Sequence, residues 1–222
     1  MSEMKIHNLW PINVGEFHNP EHQTIKKDLI DFFNEYEKNK LPDGNLQLSD
    51  KDYVGNHNLY QSNYYLHAEK NEPLQKVLQF IAKSILSLGK LTNQKRVDQL
   101  PTDQRYNVNI KQSWFIRYNK GGVVFPHYHP ECSWACVYYV QIGNEAKIKN
   151  GSTFFLRPYS YAGSDFGSKY LRNDTNVFNA EEGKLLIWPS FLYHGSHPYD
   201  GEKDRIIISA NCTIDLLNQS NK

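Results

Sequence analysis

Two histidines two positions apart, His127 and His129 in GGVVFPHYHPE (residues 121–131), are the first residues of this sequence whose type and spacing suggest chemistry. On an extended strand, residues i and i+2 face the same side, so both imidazoles can reach one ion. Imidazole nitrogen suits iron, zinc, copper and nickel alike. The same pair also arises where two histidines merely cap a strand end, and the spacing by itself leaves both readings open. A second stretch, GKLLIWPSFLYHGSHP (residues 183–198), reads as a strand, a proline turn and a new strand beginning near His194.

The elements that must position these residues change character along the chain. Asn19-Pro20 has the form of a helix start, with proline at the first helical position. Ile25, Leu29, Phe32, Phe33 and Tyr36 follow at helical spacing, and Pro42-Asp43-Gly44 ends the segment as a turn. A second helix is expected after Asn71, its apolar stripe running Leu74, Val77, Leu78, Ile81, Ile85 and Leu88, with Gly89 as its stop. From about Asn107 the period becomes that of strands. SWFIRY, CVYYV, STFFL, KLLIWP and RIIISANCTI are rich in β-branched and aromatic residues and are bounded by Gly, Asn and Pro. Helices followed by strands make an α+β chain, mainly β. The expected arrangement is a jelly-roll barrel with the N-terminal helices packed on one sheet. It is read as a single domain over 1–222, with a helical part at 1–105 and a jelly-roll core at 106–217. The polar-aromatic segment between Pro158 and Phe178 is long enough to be a lid or a surface insertion.

Composition narrows the function classes. Lys plus Arg number 25 and Asp plus Glu 24, so no basic excess points to nucleic acid and no basic amphipathic segment to a membrane surface. No apolar run approaches the roughly 18 residues of a membrane span, and no signal peptide is visible. The cysteines, Cys132, Cys136 and Cys212, are too few for a disulfide framework and read as ordinary thiols in a reducing, cytoplasmic setting. Trp114, Trp188 and Tyr193 are expected in barrel packing, Tyr193 facing away from His194 by alternation. His197 reads as a rim group, and His7, His18, His22, His57 and His67 as surface residues.

The two histidine stretches together resemble the double-stranded β-helix metalloproteins. Gly121, His127 and His129 stand at the spacing of the first cupin motif, and Gly183, Pro189 and His194 at that of the second. Such a barrel sets its second and seventh strands side by side, which brings His194 to the His127/His129 pair. Arg205 lies eleven residues past His194. With it, the chain resembles the 2-oxoglutarate/Fe(II) oxygenases of marine bacterial and phage type, distantly like prolyl hydroxylases. Trp10-Pro11, SWFIRYNKGG, PHYHP, VYYV, GSTFFLRP and the stretch from Gly183 to Asn211 carry the likeness.

The resemblance implies Fe(II) on His127, His129 and His194, with 2-oxoglutarate and O2 as cosubstrates. It implies a far carboxylate of the keto acid clamped by Arg205, whose guanidinium offers a planar bidentate fork, helped by Tyr118, Tyr139 and Ser209. The implied reaction hydroxylates an unactivated C–H of a small molecule, amino acid or peptide. Most relatives carry His-x-Asp/Glu where this chain has His-x-His, which keeps Glu131 as a reserve ligand. Ala135-Cys136 stands where the family has Ser-Gly, and Ile207 where it has a polar residue, while Ser209 and Asn211 remain. Two other classes stay open: a cupin-type three-His dioxygenase or isomerase without 2-oxoglutarate, and a non-catalytic metal-binding module. Oligomeric state is not readable.

Overall fold

The computed structural model describes residues 11–40, 56–94, 105–143, 149–158 and 175–217. Nine strands and two long helices occur among them: β1 (Gly15–His18), α1 (His22–Lys40), β2 (Asn56–Gln61), α2 (Glu72–Thr92), β3 (Arg105–Val124), β4 (Trp134–Gln141), β5 (Thr153–Leu156), β6 (Thr175–Phe178), β7 (Lys184–Pro189), β8 (His194–Ser196) and β9 (Arg205–Leu217). A six-stranded antiparallel sheet runs β1-β7-β4-β9-β3-β2, and a three-stranded sheet runs β6-β5-β8. This is the mainly β jelly roll with helices on one sheet that the pattern predicts. Trp10, the Pro42–Gly44 turn and most of the Pro158–Phe178 segment lie outside the described residues.

The large sheet is covered on both faces, and side-chain alternation sorts its residues between them. Cys136, Tyr138 and Val140 of β4, with Ile206, Ile208, Ala210 and Cys212 of β9, pack against the helices. Ala135, Val137 and Tyr139, with Ile207, face the interior between the sheets beside Trp114, Ile116 and Tyr118 of β3. The long β3–β9 ladder sets Tyr118 opposite Arg205, Trp114 opposite Ser209, and Gln112 opposite Asn211.

The helices form for the expected reasons. Asn71 caps α2, its side chain accepting from Leu74 N, with proline in the first turn. The buried stripe is the one read from the sequence, extended by Ser84 and Gly89. Gly89 does not end α2, which runs on to Thr92. A Cβ at Gly89 would lie 2.4 Å from Ile214 Cδ1, so this glycine serves close packing of α2 on β9. At α1, Asn19 Oδ1 accepts from Glu21 N at 3.0 Å, and regular helix begins at His22.

The helical reading of residues 1–105 needs correction. β1 and β2 lie within it and form the two edges of the large sheet. GEFH is too short, and NHNLYQ too polar, to signal a strand. His22 is not a surface residue: it is 3% exposed and its Nδ1 lies 2.8 Å from Tyr138 Oη. His67 is half-buried, 3.1 Å from Ser113 Oγ. His18 does lie at the surface.

His22 gives the fold a pH response. Burial lowers its pKa, with Glu182 opposing and Lys26 adding, so the unfolded chain binds a proton there first. The resulting stability is intact above the unfolded value near 6.5 and is lost as pH falls from there through the folded value. Urea unfolding of wild type and His22→Gln at pH 7.5 and pH 5.5 tests this. The wild-type midpoint should fall more than the variant's over that interval, and a constant gap between the two would count against it.

Candidate metal and cosubstrate site

Between the two sheets lies a cavity of about 560 Å³. His127, His129 and His194 meet in its wall, one nitrogen from each lying within 4.8 Å of the others. His127 and His194 are joined by their backbones. His127 N donates to His194 O and His194 N to His127 O, each at 2.9 Å, an isolated antiparallel bridge that extends the small sheet. His127 and His129 are thus not on a regular strand, as the sequence suggested. The chain there is held by that bridge and by His129 N donating to Ser190 O at 3.0 Å.

Backbone carbonyls set the ring tautomers. His127 Nδ1 lies 2.8 Å from Phe125 O, and His194 Nδ1 lies 2.9 Å from Leu192 O. A carbonyl accepts only, so Nδ1 carries the proton in both rings and Nε2 keeps its lone pair. His129 Nε2 and His194 Nε2 are 3.3 Å apart. Two ring nitrogens this close need something positive between them, a shared proton or a metal cation. Burial, then the neighbouring His127 and His129, pushes His194 down to about 2. Burial and His127 push His129 down to about 4, and burial lowers His127. All three are neutral at pH 7, the form that ligates metal.

Glu131 is exposed on the cavity rim and stands outside the three-nitrogen group. Trp188 packs 4.5 Å from the His194 ring, and Trp114 5.9 Å from that of His129. Tyr193 is 45% exposed, facing away from His194 and against Tyr128. His197 is half-buried, 4.9 Å from Phe154.

Arg205 is 1% exposed and also lines the cavity. Its guanidinium carbon lies 4.2 Å from the centre of the Tyr118 ring and 5.3 Å from that of Tyr139. Tyr139 Oη lies 2.6 Å from Thr153 Oγ1. Among the described residues no carboxylate meets Arg205, and its Nε and Nη1 have no hydrogen-bond partner. A buried cation without a counter-ion is costly, and the position fits an incoming anion. Gly151, at φ +59, leaves the space Arg205 needs: a Cβ there would lie 2.8 Å from Arg205 Cδ. Ser209 lines the same cavity, 9% exposed. Gln61 and Gln112 also line it, and neither carries a signal in the sequence, because β2 lacks apolar alternation and Gln112 precedes the apolar run.

The fold is a jelly roll with three imidazoles converging in the wall of its cavity. Residues 112–211 match the family described as "Putative 2OG-Fe(II) oxygenase". Several solved structures share the fold. A prolyl-4-hydroxylase from Pseudomonas putida matches at TM-score 0.55 and 11% identity, covering 90% of this chain and 91% of its own. A prolyl hydroxylase from Trichoplax adhaerens, bound to a hypoxia-inducible-factor peptide fragment, matches at 0.56 and 13%, covering 90% and 82%. HygX from Streptomyces hygroscopicus, with nickel, 2-oxoglutarate and hygromycin B, matches at 0.55 and 12%, covering 90% and 82%. No curated protein matches by sequence. No helix among the described residues is long and apolar enough to cross a membrane.

The three-nitrogen group makes a direct prediction. In Co(II) titrations followed by visible absorption, His194→Ala should weaken binding by more than the roughly 100-fold reached by losing an outer hydrogen-bond partner. Wild-type affinity retained in that variant would show that the metal sits elsewhere.

Proposed function

We propose that this protein is an Fe(II)- and 2-oxoglutarate-dependent hydroxylase acting on an unactivated C–H of a small molecule, amino acid or peptide. The observation that carries the reading is Arg205, a fully buried guanidinium that lines the same cavity as three convergent neutral imidazoles and has no acidic partner among the described residues. When bound, iron and the keto acid supply the oxidising chemistry, with decarboxylation to succinate coupled to O2 reduction.

The chain's residues bind, orient and exclude water. His127, His129 and His194 would hold the iron. Being neutral, they would leave its charge uncompensated, which would favour a dianionic keto acid beside it. Arg205 takes the far carboxylate through Nε and Nη1, the atoms left unpartnered. Tyr118 lies face-on to the guanidinium and restricts its rotation, while Tyr139 is fixed by Thr153. Ser209, opposite Trp114 in the ladder, stands four residues past Arg205 along the same wall. Trp188 and Phe155 close the wall behind His194 and keep water from it. Glu131 is held as a reserve ligand.

The same reading takes the chain as one domain in a reducing, cytoplasmic setting. The cysteines support that setting, since all three are free thiols. Burial pushes Cys136 up to about 12 and raises Cys212, which suits inert packing groups. A three-imidazole centre also suits a cupin-type dioxygenase that uses no keto acid. Such an enzyme would leave the buried Arg205 without a role.

Anaerobic titration of the Fe(II)-loaded protein with 2-oxoglutarate separates these. A visible metal-to-keto-acid charge-transfer band is expected, with the apparent affinity about 100-fold weaker in Arg205→Ala, the loss expected when a buried charged hydrogen bond is removed. Iron loading without any band in wild type would sink the keto-acid reading and favour the cupin alternative.

A further inference from the structure

The cavity has a charged end and a neutral end. Arg205 marks the first. Asn211 lies six residues along β9 from it, roughly 20 Å at the usual strand rise. Asn211 is 7% exposed and donates from Nδ2 to Gln112 Oε1 at 2.9 Å, while its Oδ1 is buried without a partner. Gln61 is 4% exposed and leaves Nε2 buried without a partner. Both residues line the cavity. Buried carboxamides with one unsatisfied atom each are costly, and a ligand that supplies the missing partner recovers that cost.

Their placement relative to the metal centre is set by register. Gln61 pairs with Ile116 on β3, and Asn211 with Gln112. Those two β3 positions are four residues apart, roughly 13 Å. Trp114 lies between them, its ring 5.9 Å from that of His129. A ligand laid over Trp114 therefore passes beside the metal ligands, with a free donor towards one end and a free acceptor towards the other.

The chemistry of the surroundings narrows the ligand further. Among the described residues that line the cavity, Arg205 is the only lysine or arginine, and Glu131 is the carboxylate on the rim. The described lining around Asn211 therefore offers an anion no cationic partner. Tyr64, Phe125 and Tyr128 line the mouth while remaining 36–46% exposed, and Tyr64 contacts Trp114 at 5.1 Å between ring centres. Exposed rings of this kind offer flat, uncharged contact area.

We propose that the wall over Trp114, from Gln61 to Asn211, is the subsite for the molecule to be oxidised, and that Gln61, Gln112 and Asn211 select a short, uncharged, amide-bearing chain. A carbonyl of that chain accepts from Gln61 Nε2. An N–H further along donates to Asn211 Oδ1, and the segment between them crosses Trp114. The proposal deepens the hydroxylase reading and rests on it for the identity of the oxidised molecule, but binding at this wall does not depend on the keto acid.

Saturation-transfer NMR on the metal-loaded protein without 2-oxoglutarate tests it, using acetyl-Ala-Ala-Ala-amide, N-methylacetamide and acetyl-Asp-Asp-Asp-amide as probes. The neutral tripeptide should bind, and Gln61→Met and Asn211→Leu should each weaken it about tenfold, the loss of one hydrogen bond. Gln61→Glu keeps the side-chain shape but removes the donor, and should lose the same amount, which guards against misfolding of Gln61→Met. Stronger saturation of the tripeptide than of N-methylacetamide supports a spanning chain, and equal saturation overturns the spanning arrangement. Unchanged tripeptide binding in all three variants, or binding of the tri-aspartyl peptide as tight as that of the neutral one, overturns the subsite. Because the keto acid is absent, failure here and failure of the charge-transfer titration are separately visible.

Discussion

The backbone bridge between His127 and His194 is the constraint on which this site depends. Two reciprocal N–H···O bonds of 2.9 Å tie together segments that are remote in sequence. Each histidine then donates its Nδ1 proton to the carbonyl two residues earlier. Ring position and tautomer are therefore fixed by main-chain groups, which cannot be altered by changing a neighbouring side chain. His129 is placed by the same segment through Ser190 O and joins the other two rings without a bridge of its own. The region contributes little regular ladder to the small sheet, but it determines where three nitrogens meet.

That bridge is held in place by a sheet whose two faces do different work. One face of β4 and β9 is given to α1 and α2, with Leu29, Phe33, Leu74, Ile81 and Ile85 fully buried against it. Each buried side chain of this size contributes on the order of 1.5–3 kcal/mol. The other face mixes apolar positions such as Ile207 and Trp114 with polar ones: Arg205, Ser209 and Asn211 on β9, and Gln112 and Tyr118 on β3. A strand buried on one face only could not carry so many polar groups inward and keep its place. The helices make the interior face available for chemistry.

How much of this was legible in the sequence follows from where the signal is local. His127, His129 and His194 stand out in the sequence by residue type and spacing, and Arg205 only through the family resemblance; the structure brings all four to one cavity. The apolar stripe of α2 was found because helical periodicity is strong over 21 residues. β1 and β2 were missed because edge strands pair on one side only and need no apolar alternation. Gly89 was misread as a stop because its role, closeness to Ile214, is a tertiary contact. His22 was placed at the surface because the Tyr138 hydroxyl that it meets is more than a hundred residues away. Gln61 carried no signal, since a glutamine at a strand edge looks the same whether it faces water or a cavity.

The polar interior has an energetic consequence that links stability to ligand state. A guanidinium with two unpartnered nitrogens and two half-satisfied carboxamides line the cavity beside the His129–His194 nitrogen pair. Each unpartnered buried group is unfavourable by about 1–3 kcal/mol or more. An anion answers the guanidinium, and neutral donors and acceptors answer the carboxamides, while the imidazoles offer lone pairs to a cation. These demands do not compete, because the imidazoles lie around the His127–His194 bridge, while Arg205 and Asn211 lie six residues apart on β9. Ligands that bind only the folded chain stabilise it in proportion to the logarithm of their concentration over their dissociation constant. The cavity therefore offers three kinds of ligand separate points of attachment, and the helix-backed face supplies stability that offsets its unpartnered polar groups.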